Sequence, residues 1–112
     1  MVVNGKNIQF KRTMWSQRQL IEMSPDKDIK RLGEVFEKPL AETIETQVAF
    51  IIMLNKSFNM WAEHNHIEHD APITEEDIYN MECDDFDRLL MEAINSLNGK
   101  QRISAKPTQK NA

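Results

Sequence analysis

The densest reactive chemistry in this 112-residue chain lies in one stretch, Glu63-His64-Asn65-His66-Ile67-Glu68-His69-Asp70. It holds all three histidines of the sequence. Imidazole nitrogens and carboxylate oxygens are the donors that zinc and related transition metals take. A metal-dependent hydrolase is therefore one reading of the stretch. The spacing argues against it. No HExxH or comparable ligand pattern is present, and adjacent ligands on one loop need supporting hydrogen bonds from elsewhere. The plainer reading is a solvated loop at a helix end, so no metal and no cofactor is expected.

Cys83 is the single cysteine. It excludes an internal disulfide framework and a CxxC zinc site. Glu82, Asp84 and Asp85 flank it, and neighbouring carboxylates disfavour a thiolate nucleophile. The sequence has three glycines in separated contexts, too few for a phosphate-cradling loop, and no GxGxxG, GxxxxGK[ST] or GxSxG motif. Paired carboxylates are common, but they cluster where helices should begin and where capping accounts for them. Nothing here predicts an enzyme.

The charge is more informative. The net −4 is segregated along the chain. Residues 1–38 carry eight basic and five acidic residues, and residues 39–99 carry two basic and thirteen acidic ones. Residues 100–112 carry four basic residues and no acidic one. Such a middle repels phosphate, so a nucleic-acid partner is not expected. Oppositely charged regions could attract one another within a chain or between copies; a solvated acidic face is the simpler account. The N-terminus lacks an apolar signal core, and the longest apolar run, Val48–Leu54, is far short of the roughly 20 residues of a membrane span. A soluble cytoplasmic protein with no membrane partner is expected.

The elements that must position these residues follow from periodicity and caps. Val2 to Phe10 reads as a β-hairpin turned at Asn4-Gly5, because Asn-Gly suits a turn needing positive φ at both central positions. Such a ribbon is marginal alone and should pack on helices or join another subunit. Thr13 should cap a helix from Met14 to about Met23. Ser24 and Pro25 should open a second, with Ile29, Leu32 and Phe36 inward. The strongest element is a central helix from about Pro39 to Asn65. Leu40, Ile44, Val48, Ile51, Phe58 and Ala62 share one of its faces, and Phe50, Met53 and Trp61 an adjoining one. Thr74 should cap a short helix. Asp84 should cap a last helix over 85–98, closed by Gly99. The expected fold is mainly α with a small N-terminal β-hairpin (α+β), the hairpin packed on a bundle of four to five helices. A single domain over 1–99 and a disordered basic tail over 100–112 are expected.

Apolar residues surround the helix over Val48–Leu54, and few other elements exist to cover them. A second subunit is therefore expected to contribute. Phe50, Ile52, Met53, Met60 and Trp61 are the expected oligomer or partner interface. Met53, Met60, Met81 and Met91 would suit an adaptable surface, although methionine also fills core gaps.

The order of elements adds a resemblance. Val3-Asn4-Gly5-Lys6 with Ile8 and Phe10 is followed by short helices, a long apolar helix and the segment PITEEDIYNM (72–81). The closing helix FDRLLMEAINSL (86–97) and a polar tail complete a pattern over 1–99 that resembles phage tail assembly chaperones. The resemblance implies a non-catalytic protein that binds the tape measure protein and keeps it soluble until the tail tube protein polymerises. It implies self-association as a homo-oligomer, residence in the cytoplasm of a bacterial host and absence from the mature virion. It also implies that a frameshifted longer form can exist, with Lys100 to Ala112 the end of the short one. The alternative is a small acidic regulatory adaptor or inhibitor that masks another protein.

Overall fold

The computed structural model describes residues 1–98. The expected Gly99 cap and basic tail lie outside the described residues. The protein is mainly helical with a small N-terminal hairpin, as the sequence predicts. Strand β1 (Val2–Val3) pairs antiparallel with β2 (Lys6–Asn7), placing Val2 opposite Asn7 and Val3 opposite Lys6. The turn between them has φ of 50° at Asn4 and 78° at Gly5, the conformation for which Asn-Gly is selected. Val3, Ile8 and Phe10 turn inward and are buried, so the hairpin packs on the helices of its own chain.

Helix α1 (Met14–Met23) begins at a capping box. The Thr13 hydroxyl accepts from the Ser16 amide at 3.2 Å, and the Thr13 amide donates to the Ser16 hydroxyl at 2.7 Å. The second expected helix does not form as one piece. Residues 25–31 make two short 3₁₀ turns, and only Gly33–Glu37 closes into an α-helix, α2. Two local effects divide it. Asp26 and Lys27 adopt left-handed φ of 55° and 57°. The Asp28 carboxylate accepts from the Lys30 amide at 3.0 Å, offering the backbone an alternative to the helical ladder. Ser24 does not cap the next segment; its hydroxyl donates back to the Leu20 carbonyl at 2.6 Å.

The central helix, α3, spans Leu40–His64. Helices α1, α2, α4 (Glu75–Tyr79) and α5 (Cys83–Leu97) all pack on it. Val48, Phe50, Ile51, Met53 and Leu54 are consequently buried within a single chain. Phe36 of α2 meets Phe50 edge-on, with ring centroids 4.8 Å apart. The last helix starts at Cys83, not after an Asp84 cap. Glu82 holds the cap position without a side-chain bond, and Asp84 and Asp85 lie in the first turn, where the helix dipole favours them. Among the described residues no helix is long and apolar enough to cross a membrane.

One polar side chain is embedded in this core. Asn55 of α3 is 2% exposed. Its amide donates to the Gln9 carbonyl at 2.9 Å, and its carbonyl accepts from the Ile73 amide at 3.0 Å. It thus joins the strand leaving the hairpin to the segment entering α4. Replacing it with alanine orphans the buried Ile73 amide and frees the part-buried Gln9 carbonyl, and Asn55→Ala is expected to lose about 1–3 kcal/mol in urea unfolding. The purely apolar truncation Ile51→Ala is expected to lose about 2–5 kcal/mol, and a loss below about 0.5 kcal/mol would contradict its enclosure.

Candidate functional site

The histidine stretch terminates α3. Asn65 is its C-cap, and His66 follows in the left-handed region with φ of 59°. The Ile67 amide donates to the Ala62 carbonyl at 2.8 Å and the His66 amide to that of Glu63 at 3.2 Å. These are the two bonds of a Schellman motif, in which His66 holds the position usually given to glycine. His69 serves the loop that follows. Its Nδ1 lies 2.8 Å from the Asp70 carbonyl oxygen and its Nε2 lies 2.9 Å from Glu63 Oε2. Both partners can only accept, so the doubly protonated imidazolium satisfies both. The Asp70 carbonyl first, and then Glu63, raise the His69 pKa above its ordinary value. Asp70 in turn accepts from the Asn7 amide of β2 at 2.6 Å. His64 and His66 are exposed. Among the described residues no three His, Cys, Asp or Glu side chains converge to hold a metal ion.

A second polar node fixes α4. The Asp77 carboxylate accepts from Lys6 Nζ at 2.5 Å, Asn4 Nδ2 at 2.7 Å and the Thr74 amide at 3.0 Å. Lys6 also donates to the Pro72 carbonyl at 3.0 Å. Thr74 completes a capping box by accepting from the Asp77 amide at 3.1 Å. The hairpin turn is therefore clamped to the first turn of α4. Lys6, followed by Asn4 and Thr74, holds the Asp77 carboxyl well below the usual carboxylate range.

The expected interface residues part company. Phe50 and Met53 are buried in the chain's own core, so they present no surface to a partner. The covering elements are α2 and its neighbours, whose short helices the sequence pattern undervalues. Ile52 and Trp61 are half-buried, and Met60 is 41% exposed. Trp61 packs on Phe58, with centroids 5.9 Å apart, and carries the Lys11 ammonium 4.2 Å above its ring. Trp15 carries that of Lys56 at 5.5 Å. Each ring thus has a lysine over it and only partial burial, a boundary position rather than a free anchor.

The more open apolar surface lies elsewhere. Leu40, at the start of the apolar face of α3, is 43% exposed, and Ile44 one turn on is half-buried against the core. Helix α4 has only five residues and cannot cover them. A cleft of about 140 Å³ opens there between α3, α4 and α5. Its walls include Leu40, Ile44, Val48, Tyr79, Met81 and Phe86, and Cys83 lies at its edge as an exposed free thiol. Tyr79 is 52% exposed. Tyr79 also borders a separate hollow lined by Glu45 and Glu75, and Met81 borders one lined by Glu82 and Asp85. The sequence held one signal for this site. Tyr79 is the lone tyrosine, placed at the exposed end of a helix otherwise rich in carboxylates.

No family model, curated protein or solved structure matches the chain. The site has therefore to be read from its own geometry.

Relief of the left-handed strain makes His66→Gly stabilising, by about 0.5–1 kcal/mol in urea unfolding. A loss of stability would show that the imidazole has a bonding role. Because the Asp77 pKa is depressed on folding, its contribution is complete at neutral pH and fades as the pH falls below the unfolded value of about 4. Asp77→Asn is expected to melt several degrees lower than wild type near neutrality, with the gap closing in acid. A gap independent of pH would refute the electrostatic account.

Proposed function

We propose that this chain is a tail assembly chaperone of a tailed phage or prophage, which binds the tape measure protein and keeps it soluble until tail tube polymerisation. The observation that carries the reading is the apolar cleft bounded by Leu40, Ile44, Tyr79 and Phe86, open to solvent beside an acidic helix pair. A protein that holds a helical client by stoichiometric binding needs such a surface and no reactive constellation. The resemblance in element order over 1–99 supports the same reading. The tail tube protein is the second partner it implies, and self-association as a homo-oligomer would let several clefts act on one long client. The proposed setting is the cytoplasm of the bacterial host, with the protein left out of the finished virion.

A small acidic adaptor is the second reading. The exposed carboxylates Glu75, Glu76, Glu82 and Asp84 on α4, α5 and their junction favour it, since a single-sign face selects a basic partner without any need for a helical client.

Co-expression with a tape measure protein, which the reading places in a neighbouring downstream gene, tests the first reading. The chaperone is expected to move most of that protein into the soluble fraction, and Tyr79→Asp, a change at an exposed position, is expected to abolish the effect while the variant stays folded. Neighbouring genes for neither a tape measure nor a tail tube protein would overturn the proposal.

A further inference from the structure

We propose that the cleft beside Tyr79 receives one apolar side chain of an amphipathic helix whose flanking residues are lysine or arginine. The inference rests on the reading of the chain as a binder of a helical client and adds the chemistry by which that client is chosen.

Size excludes the other common occupants. At about 140 Å³ the cleft is well below the roughly 300 Å³ at which pockets for drug-sized molecules and cofactors begin. It suits a single side chain of leucine or methionine size. The walls match that guest, because Leu40, Ile44, Val48 and Phe86 present hydrocarbon and Met81 can repack around it.

Charge selects what surrounds the guest. Asp87 lines the cleft itself, Glu45 and Glu75 line the hollow that shares Val48 and Tyr79 with it, and Glu82 lines the hollow that shares Met81. All four are exposed, and among the described residues none has a cationic partner. No Lys or Arg side chain lines the cleft or either hollow, and the Met1 ammonium, which lines the hollow beside Glu82, is paired with Glu92 at 3.2 Å. On a docked helix, residues three or four positions before and after the anchor lie about one turn, roughly 5–6 Å, to either side of it. Cations at those positions fall over the flanking carboxylates, and acidic residues there meet like charge.

The test uses the full chain and fluorescent helix-forming peptides. One carries leucine anchors with lysine flanks, a second replaces the lysines with glutamate, and a third replaces the leucines with serine. In anisotropy titrations the first is expected to bind at least about tenfold more tightly than the second, and to weaken with salt. The serine peptide should lose most of the affinity. Cys83 supplies a footprint, since the lysine peptide should slow its modification by a maleimide. The double variant Glu75→Lys, Asp87→Lys changes two exposed positions and should reverse the preference between lysine and glutamate peptides. Equal binding of those two peptides, or an unprotected Cys83, overturns the proposal. So does Cys83 labelling that slows with protein concentration alone, because that outcome puts a second copy in the cleft. Lysine-peptide binding without rescue of the downstream protein would retire the phage reading and keep this one. Rescue with no peptide preference would do the reverse.

Discussion

A buried amide cannot be left unsatisfied, and in this protein that constraint falls on Asn55. It interrupts the most apolar part of the central helix, where water cannot reach it. Its donor is bound to Gln9 and its acceptor to Ile73. Each partner is a backbone group, so the side chain fixes the course of the chain and not merely a contact. The strand leaving the hairpin and the segment entering α4 are thereby held on the same stretch of α3. The same two segments also meet where Asn4 and Lys6 donate to Asp77, in the first turn of α4. The position of Tyr79 and one wall of the cleft follow from that chain of polar contacts.

The cleft exists because two requirements meet at the start of α3. The middle of that helix is apolar on several sides and is enclosed by α1, α2 and α5 together with the hairpin. Its beginning is served only by α4, five residues long, and by the acidic start of α5. Leu40 continues the apolar face beyond the elements available to bury it, and Ile44 is only half covered. The carboxylates that favour the N-terminal turns of α4 and α5 gather around the same opening. Lys11 and Lys56, by contrast, lie over the rings of Trp61 and Trp15.

Much of the local structure was legible in advance, wherever one residue type has one dominant physical use. Asn4-Gly5 specified its turn through positive φ, Thr13 and Thr74 specified helix starts through their hydroxyls, and the apolar spacing of α3 gave its length nearly to the residue. Where several weak preferences compete, the reading failed. Ser24 and Pro25 resemble a helix start, yet the Ser24 hydroxyl turns back to α1 and Asp28 diverts the backbone. Asp84 is as good a cap as Thr13 in isolation, but the helix already begins at Cys83. The candidate surface suffered most, because periodicity shows that a face is apolar and not whether anything covers it. That pattern predicts a partner surface at Phe50 and Met53, which are buried in the core, and it cannot show that Leu40, on the same helix, is left exposed.

By itself the sequence determined the helical class, the hairpin, the acidic middle and the lack of a recognisable reactive motif. These depend on interactions within a few residues, or on composition, and both are readable along a line. Only the tertiary structure decided that Asn55 joins two distant segments and that the open apolar surface lies beside Tyr79. Each of those depends on residues 18 to 46 positions apart, or on the length of a neighbouring element, meeting in space. Burial belongs to the packed assembly of helices, and no single helix carries it.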